Sequence, residues 1–261
     1  LVGGGDTVFH LGAAVGVRRI LDEPLASIAT NVDGTANVLR AAQRFGPKVF
    51  VASTSEIYGK NEKRGLTELD DSIVGPIETS RWLYAVGKAL DEFLALAYWR
   101  EHGLPVVIGR FFNTYGPRQT GSYGMVIPRF IGQALRGEPI TIFGDGEQSR
   151  CFSFVDDVVD ALLALMRTPA ALGQSVNIGN EREVTIRRLA ELVLDATRSE
   201  SPIEYVDYRA VYPSGFADMR RRVPDAGKLR ALIGFSPDTP LETGIRATVA
   251  HLERQLAVIA D

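Results

Sequence analysis

Two residues of the sequence have the types and spacing of an acid–base pair. Tyr84 and Lys88 are four residues apart, so their side chains share one face of a helix. A neighbouring ammonium group lowers the pKa of a phenol, which is ordinarily about 10, and makes the phenol a usable base. The spacing therefore predicts that Tyr84 removes a proton from an alcohol.

A second polar group precedes this pair. Thr54 and Glu56 follow a short β-branched segment over residues 48–53. The Thr54 hydroxyl would hydrogen-bond the same reacting oxygen, and the Glu56 carboxylate would serve a second acid–base step. Together the two groups indicate oxidation of an alcohol by a nicotinamide cofactor. A turn-capping Thr54 and a solvated Glu56 remain alternatives.

The composition excludes several classes of function. The 261 residues are 45% hydrophobic and 23% charged, which is typical of a soluble globular protein with a good core. A net charge of -3 and a pI near 5.8 argue against a nucleic-acid partner. The single cysteine, Cys151, favours a reducing cytoplasm. The spacing of the histidines predicts no metal site, and no apolar run approaches the ~20 residues of a membrane span.

The elements that must position the polar residues alternate between strand and helix patterns, which predicts a parallel α/β sheet. Pro24 suits the first turn of one helix, and Gly46 suits its end. A second, amphipathic helix that carries Tyr84 and Lys88 is predicted by apolar residues at i, i+3, i+4 spacing: Leu83, Leu90, Phe93, Leu94 and Ala97. Strands are predicted at 7–11, 48–53 and 105–110, and helices at 24–45 and 82–101.

Beyond Asn113 the sequence changes to short strands, turns and more arginine. We expect two domains: an incomplete dinucleotide-binding domain over 1–112, and a smaller lobe over 113–261 that is partly interleaved with it. Helices are predicted in the second region at 125–136, 156–167, 185–197 and 240–257.

A dinucleotide-binding domain opens with a strand, a G-x-G-x-x-G turn and a helix. The run Gly3-Gly4-Gly5 has the wrong spacing and precedes a strand. We therefore expect the first two βα units of the fold, roughly 60 residues at ~30 per unit, to be missing from this sequence.

Several residues of the second region have types suited to a nucleotide ligand. Asn113 follows a strand, where ligands of open α/β folds bind, and could donate to a diphosphate. Phe143 could stack on a base or belong to the core. Arg150 is a candidate phosphate clamp, and Arg222 is a candidate for reaching the sugar. Asn31 lies mid-helix, where it could cause a kink or relay a proton.

These motifs, in this order, resemble the extended short-chain dehydrogenases/reductases that act as NAD-dependent nucleotide-sugar epimerases and dehydratases. The resemblance runs from Asp6 to the last helix. It implies a Rossmann-type, doubly wound parallel sheet with a smaller α/β substrate-binding lobe, and a nucleotide sugar as partner. By this match Thr54, Tyr84 and Lys88 are the catalytic hydroxyl, the base and its lysine, and Lys88 also holds the nicotinamide ribose. The other implied NAD contacts are Leu11, Ala13, Ala14, Asn31, Ser53, Tyr84 and Phe111, and Ser55 is an implied substrate contact.

Within that family the sequence is most similar to UDP-glucuronate decarboxylases. Simple 4-epimerases carry a small residue in place of Glu56, and the segments 73–84, 150–152 and 212–224 also favour the decarboxylases. The match implies that Arg222 acts in decarboxylation. A 4-epimerase, a 4,6-dehydratase and a non-catalytic dinucleotide-sensing regulator remain alternatives. The family also implies a cytoplasmic homodimer formed through the helices near 24–45 and 82–101.

Overall fold

The computed structural model of the chain describes residues 5–121, 124–211 and 219–260. A parallel sheet with the strand order β1-β2-β4-β8 lies at its centre. The predicted parallel α/β sheet is therefore present, and its fourth strand comes from the region beyond Asn113, where short strands were predicted without bounds. The strands are β1 (Thr7–His10), β2 (Lys48–Thr54), β4 (Val106–Phe111) and β8 (Gln174–Ile178).

Apolar side chains cover both faces of this sheet. Val49 and Val51 point to one face, where they pack with helices that precede and follow β2, whereas Phe50 points to the other face. This alternation is the period-2 pattern of a strand buried on both sides. Helix α6 (Val155–Arg167), from the second half of the sequence, packs on the Phe50 face. The sheet is therefore doubly wound, and the division at residue 112 stays a prediction.

The predicted helix over 24–45 is not continuous. The structure has α1 (Val17–Asp22), which was not predicted, then α2 (Pro24–Ile28), a π-helical turn (Ala29–Asp33) and α3 (Gly34–Phe45). π-Turns break the regular hydrogen-bond ladder and often occur at functional sites. Pro24 begins α2 and Gly46 ends α3 in a left-handed conformation with φ 76°, both as predicted.

Helix α4 (Leu83–His102) carries the Tyr84/Lys88 pair, and only part of its predicted apolar pattern, including Leu94, packs against the core. Leu90 is 47% exposed and Phe93 is 72% exposed, although their spacing predicted a core-facing stripe. The opposite face is buried because the helix must turn Tyr84 and Lys88 toward the sheet. That buried face includes two carboxylates as well as Lys88.

The second lobe is built from two smaller sheets and several helices. One sheet has the order β3-β11-β7-β5, with β9 antiparallel to β7, and the other pairs β6 with β10. The four predicted helices of this region are confirmed as α5, α6, α7 and α10. The strands are β3 (Arg64–Leu66), β5 (Asn113–Tyr115), β6 (Ile140–Phe143), β7 (Ser149–Phe154), β9 (Glu183–Thr185), β10 (Ile203–Val206) and β11 (Arg221–Pro224). The helices are α5 (Val126–Leu135), α7 (Ile186–Thr197), α8 (Tyr208–Val211), α9 (Gly227–Ile233) and α10 (Leu241–Ala260).

Helix length and hydropathy also bear on a membrane partner. Within the part of the chain that the structure describes, no helix combines the length and the apolar character that crossing a bilayer requires.

Candidate active site

The site begins where strand β2 ends. Thr54 is the last residue of that strand and has an extended backbone, with φ −146° and ψ 149°. Its Oγ1 accepts a hydrogen bond from the Glu56 backbone N–H at 3.2 Å, which caps the short 3₁₀ turn Ser55–Tyr58. The Thr54 hydroxyl is also close enough to the Tyr84 phenol to lower its pKa. Thr54 therefore caps a turn and lies beside the candidate base.

Tyr84 lies in the first turn of α4 and Lys88 lies one turn further along. Burial is the main cause that raises the pKa of Tyr84, to about 12, and the negative charges of Glu56 and Asp91 raise it further. These effects outweigh the Thr54 hydroxyl and the Arg222 charge, which lower it. The prediction that Tyr84 has a lowered pKa is therefore wrong for this structure. The Lys88 Nζ donates to Asp91 Oδ2 at 2.7 Å, so much of its charge is neutralised.

Glu56 lies between two arginines. Arg81 Nη1 is 2.6 Å from Glu56 Oε2, and Arg222 Nη1 contacts Glu56 Oε1. Burial opposes ionisation of Glu56, but the charges of Arg222 and Arg81 outweigh it and lower the pKa to about 2. The two guanidinium groups are less than 10% exposed. The cluster therefore holds one net positive charge next to Tyr84.

The second lobe contributes three predicted residues to the site, and they lie on neighbouring strands: Asn113, Arg150 and Arg222. Arg222 on β11 pairs with Arg150 on β7, and Asn113 on β5 pairs with Phe152 of β7. The Asn113 side chain accepts from Arg222 Nη2 at 3.2 Å and donates to the Cys151 carbonyl at 2.8 Å. Asn113 therefore orients Arg222. Arg150 Nη1 donates to the Ser149 carbonyl at 2.8 Å.

One cavity of about 650 Å³ joins the two lobes. Most of the predicted site residues line it: Leu11, Ala13, Ser53, Thr54, Ser55, Glu56, Tyr84, Phe111, Asn113, Phe143, Arg150 and Arg222. Three predicted residues are not part of the lining. Ala14, Asn31 and Lys88 are each less than 5% exposed and lie behind the cavity wall.

Asn31 has an identifiable structural role. Its Oδ1 accepts from the Ala14 backbone N–H at 2.6 Å, and its Nδ2 donates to the Ala14 carbonyl at 3.3 Å. Asn31 lies in the π-helical turn, so this turn fixes the chain segment that follows β1 and includes Leu11 and Ala13. The two hydrogen bonds support the structural alternative for Asn31, and its contact with NAD stays a prediction.

Phe143 lies at the far end of the lining, on β6. The Arg129 guanidinium carbon is 4.3 Å from the centre of the Phe143 ring, a cation–π contact. Sequence reasoning missed Arg129, Arg81 and Asp91 as site residues. Of these three residues, only Arg81 had a signal in the sequence, because it lies in the segment before Tyr84 that resembles the decarboxylases.

The residues present fit the nicotinamide half of NAD. The cavity runs from Leu11 and Ala13, after β1, to Thr54 at the carboxyl end of β2, where doubly wound folds bind dinucleotides. In the described residues the buried Asp91 Oδ1, next to Lys88, has no hydrogen-bond partner. Gly3 and Gly4 lie outside the described residues. No group of three possible metal ligands occurs in the described ranges.

Comparison with known proteins identifies the class. Residues 2–179 match the NAD dependent epimerase/dehydratase family, and the chain belongs to that family. This establishes the predicted family, the Rossmann-type fold and NAD as the family's cofactor. The chain is 43% identical over 250 residues to the UDP-N-acetyl-alpha-D-glucosaminuronate decarboxylase of Bacillus cytotoxicus, covering 95% of this chain and 77% of that protein. It is 36% identical over 251 residues to UDP-glucuronic acid decarboxylase 1 of Danio rerio, covering 96% of this chain and 58% of that protein.

Two solved structures that are epimerases by name have a similar fold. The epimerase Mth375 of Methanothermobacter thermautotrophicus superposes with a TM-score of 0.89 at 28% identity, covering 98% of this chain and 74% of that one. The UDP-glucuronic acid 4-epimerase of Bacillus cereus, solved with UDP-glucuronic acid and NAD, gives 0.85 at 27% identity, covering 96% of this chain and 76% of that one.

Proposed function

We propose that this chain carries the catalytic residues of an NAD-dependent decarboxylase that acts on a UDP-linked uronic acid through a 4-keto intermediate. The buried cluster of Glu56, Arg81 and Arg222 is the observation that carries this proposal. Its net positive charge lies beside Tyr84 in the cavity wall, so it favours a sugar that carries a carboxylate. Sequence relatives named for decarboxylation of UDP-linked uronic acids support the same reaction.

The first step oxidises the sugar at C4. Tyr84 takes the proton of the C4 hydroxyl, and Thr54 hydrogen-bonds the reacting oxygen. NAD+, when bound, supplies the hydride acceptor for this oxidation and the donor for the later reduction. Burial raises the pKa of Tyr84 to about 12, so positive charge near the phenol favours the proton transfer.

The second step breaks the bond between C5 and the carboxylate. A ketone at C4 is β to that carboxylate, so the bonding electrons pass into the ketone and carbon dioxide leaves. Arg222 stabilises the enolate charge that develops. Glu56 holds Arg222 in place and is ionised at neutral pH, so a water molecule supplies the proton to C5. Reduction at C4 then gives a UDP-pentose, and release before reduction gives a keto-pentose.

The alternatives differ in what they require of Glu56 and Arg222. A 4,6-dehydratase would use Glu56 to remove the C5 proton, but a carboxylate with a pKa of about 2 between two arginines is a weak base. A 4-epimerase acting on a uronic acid would bind the same carboxylate and keep it. A non-catalytic sensor would not require Thr54, Tyr84 and Arg222 to line one cavity.

Product mass distinguishes these reactions. The full-length protein is incubated with NAD+ and, separately, with UDP-glucuronate, UDP-N-acetylglucosaminuronate, UDP-glucose and GDP-mannose. Decarboxylation gives loss of carbon dioxide from one or both uronic acids. An isomer of unchanged mass would identify an epimerase, loss of water from a hexose would identify a dehydratase, and each would contradict the proposal.

Two further proposals concern the assembly of the protein and its location in the cell. Phe93 and Leu90 on α4 and Leu25 on α2 are all exposed, and α2 contacts α4. Exposed apolar side chains on two helices in contact support the predicted homodimer. The buried free thiol of Cys151 and a nucleotide-sugar substrate support a cytoplasmic protein.

A further inference from the structure

A buried pair of opposite charges lies behind the site. Lys88 Nζ and Asp91 Oδ2 are 2.7 Å apart on one face of α4, and their side chains are 2% and 0% exposed. The other oxygen, Asp91 Oδ1, is buried and has no hydrogen-bond partner in the described parts of the chain. A buried carboxylate with an unused acceptor costs free energy. The Tyr84/Lys88 pair alone does not require this carboxylate.

Groups from several elements surround this pair. His10 lies at the end of β1, and its pKa responds to the charges of Lys88 and Asp91. The His10 Nε2 lies 3.0 Å from Thr35 Oγ1. Burial, followed by the Lys88 charge, lowers the pKa of His10, and Asp91 opposes that change. His10 is therefore expected to be neutral near pH 7. The ion-pair partner of Lys88 is Asp91.

The charged and polar groups around Tyr84 come from its own helix and from several other segments of the chain. Glu56 of the 3₁₀ turn and Asp91 of α4 raise the pKa of Tyr84 beyond the effect of burial. Arg222 of β11 lowers it, as does the Thr54 hydroxyl. Arg81 is held by Glu56. Asp91 is thus the one carboxylate in this set that contacts the catalytic lysine and also influences the phenol.

We propose that Asp91 is a positioning residue that fixes the Lys88 ammonium one helical turn from Tyr84 and offsets the lysine charge there. The inference rests on the proposed role of Tyr84 as the base. With the Asp91 charge in place, the lysine ammonium is neutralised and stays ordered in a buried position. Without that charge, the ammonium would stabilise the phenolate directly, and Tyr84 would release its proton at lower pH.

The test follows the ionisation of Tyr84 without any substrate. The full-length protein is labelled with tyrosine that carries ¹³C at Cζ, and the Tyr84 resonance is assigned as the one lost in Tyr84→Phe. Resonances are followed over the pH range in which the protein stays folded. We expect the titration of Tyr84 in Asp91→Asn to begin about one pH unit lower than in the wild type. The smaller neutral variant Asp91→Ser, which covers a failure of Asp91→Asn to fold, shifts in the same direction.

Two controls separate charge from packing. Asp91→Glu keeps the charge and is expected to leave the onset of titration near the wild-type value. Asp195→Asn removes an exposed carboxylate on α7 and is expected to leave it unchanged. In the active enzyme, the acid limb of the kcat–pH profile moves to lower pH in Asp91→Asn. An unchanged Tyr84 titration in both folded neutral variants would overturn the inference. Because the titration needs no substrate, this failure is distinct from failure of the proposed reaction.

Discussion

Arg222 and Glu56 form an ion pair in the cavity, although 166 residues separate them in the chain. The sequence suggested separate tasks for the two residues, with Arg222 acting in decarboxylation and Glu56 in a second acid–base step. Their contact makes the tasks dependent on each other. Arg222 keeps Glu56 ionised, and Glu56 with Asn113 holds the guanidinium in place.

Neutralising Arg222 is expected to abolish most of the decarboxylation. In Arg222→Gln the enolate loses its charge stabilisation, and we expect kcat to fall by roughly 10²–10³-fold, the range measured for loss of one such donor. The matched control is Arg220→Gln, because Arg220 lies on the same segment but is 64% exposed. Steady-state kinetics measure both variants. A wild-type kcat in Arg222→Gln would contradict the role assigned to this residue.

Replacing the candidate base tests the oxidation step. Tyr84→Phe removes only the hydroxyl, so we expect kcat to fall by about 10²–10⁴-fold while the UDP-sugar still binds. Calorimetric titration measures binding, and product formation measures the reaction. If Tyr84→Phe binds and turns over the sugar as the wild type does, the 4-keto scheme is wrong.

The pH dependence of stability tests the Glu56 cluster. Glu56 has a pKa of about 2 in the folded protein and an ordinary value of 4.5. A lowered carboxylate pKa stabilises the fold above the ordinary value, and this stability is lost as the pH falls toward the folded value. We therefore expect the wild type to lose more free energy of unfolding than Glu56→Gln between pH 4.5 and 2. Urea denaturation at several pH values measures this, and parallel curves for the two proteins would refute the ion-pair assignment.

The sequence predicted the local parts of this site well and the long-range parts incompletely. Tyr84, Lys88 and Thr54 could be found because helix spacing and strand ends are local properties of the chain. The Glu56–Arg222 contact depends on tertiary packing that no spacing rule describes. The burial of Asp91 also depends on tertiary packing, because a helix charge is ordinarily exposed and only the orientation of α4 shows that this one is buried.

The fold shows the same division between local and tertiary information. Gly46 and Gly103 mark helix ends through left-handed conformations, which residue type alone predicts. The π-turn around Asn31 depends on hydrogen bonds to Ala14, and the period of the sequence does not reveal it. Phe93 is exposed although apolar residues at helical spacing usually face the core. The buried face of α4 instead includes the charged residues Lys88, Asp91 and Glu92.

A buried polar network behind the site is expected to stabilise the fold. Arg110 forms a bidentate ion pair with Glu92, at 2.8 and 3.0 Å, and both side chains are largely buried. Glu92→Gln leaves a buried guanidinium without its charge partner, so we expect the free energy of unfolding to fall by about 3–5 kcal/mol. Glu191→Gln breaks an exposed pair with Arg188 and is expected to change it by less than about 1 kcal/mol. Equal effects would contradict this account of the network.

The apolar face of α4 gives a prediction about assembly. Phe93→Glu places a charge on the proposed dimer face, and we expect the protein to become monomeric, measured by light scattering after gel filtration. The matched control, Leu69→Glu, alters an exposed apolar residue that lies outside α2 and α4, and it is expected to leave the mass unchanged. A dimer that persists in Phe93→Glu would exclude this face as the interface.

The most direct test of the central claim is the mass of the product formed from a UDP-linked uronic acid in deuterated water. The mechanism predicts loss of carbon dioxide and gain of one non-exchangeable deuterium, which NMR locates at C5. Hydrogen returned at C4 comes from the substrate and carries no solvent deuterium. A product that keeps its carboxylate, or one without deuterium at C5, would contradict decarboxylation through a 4-keto sugar.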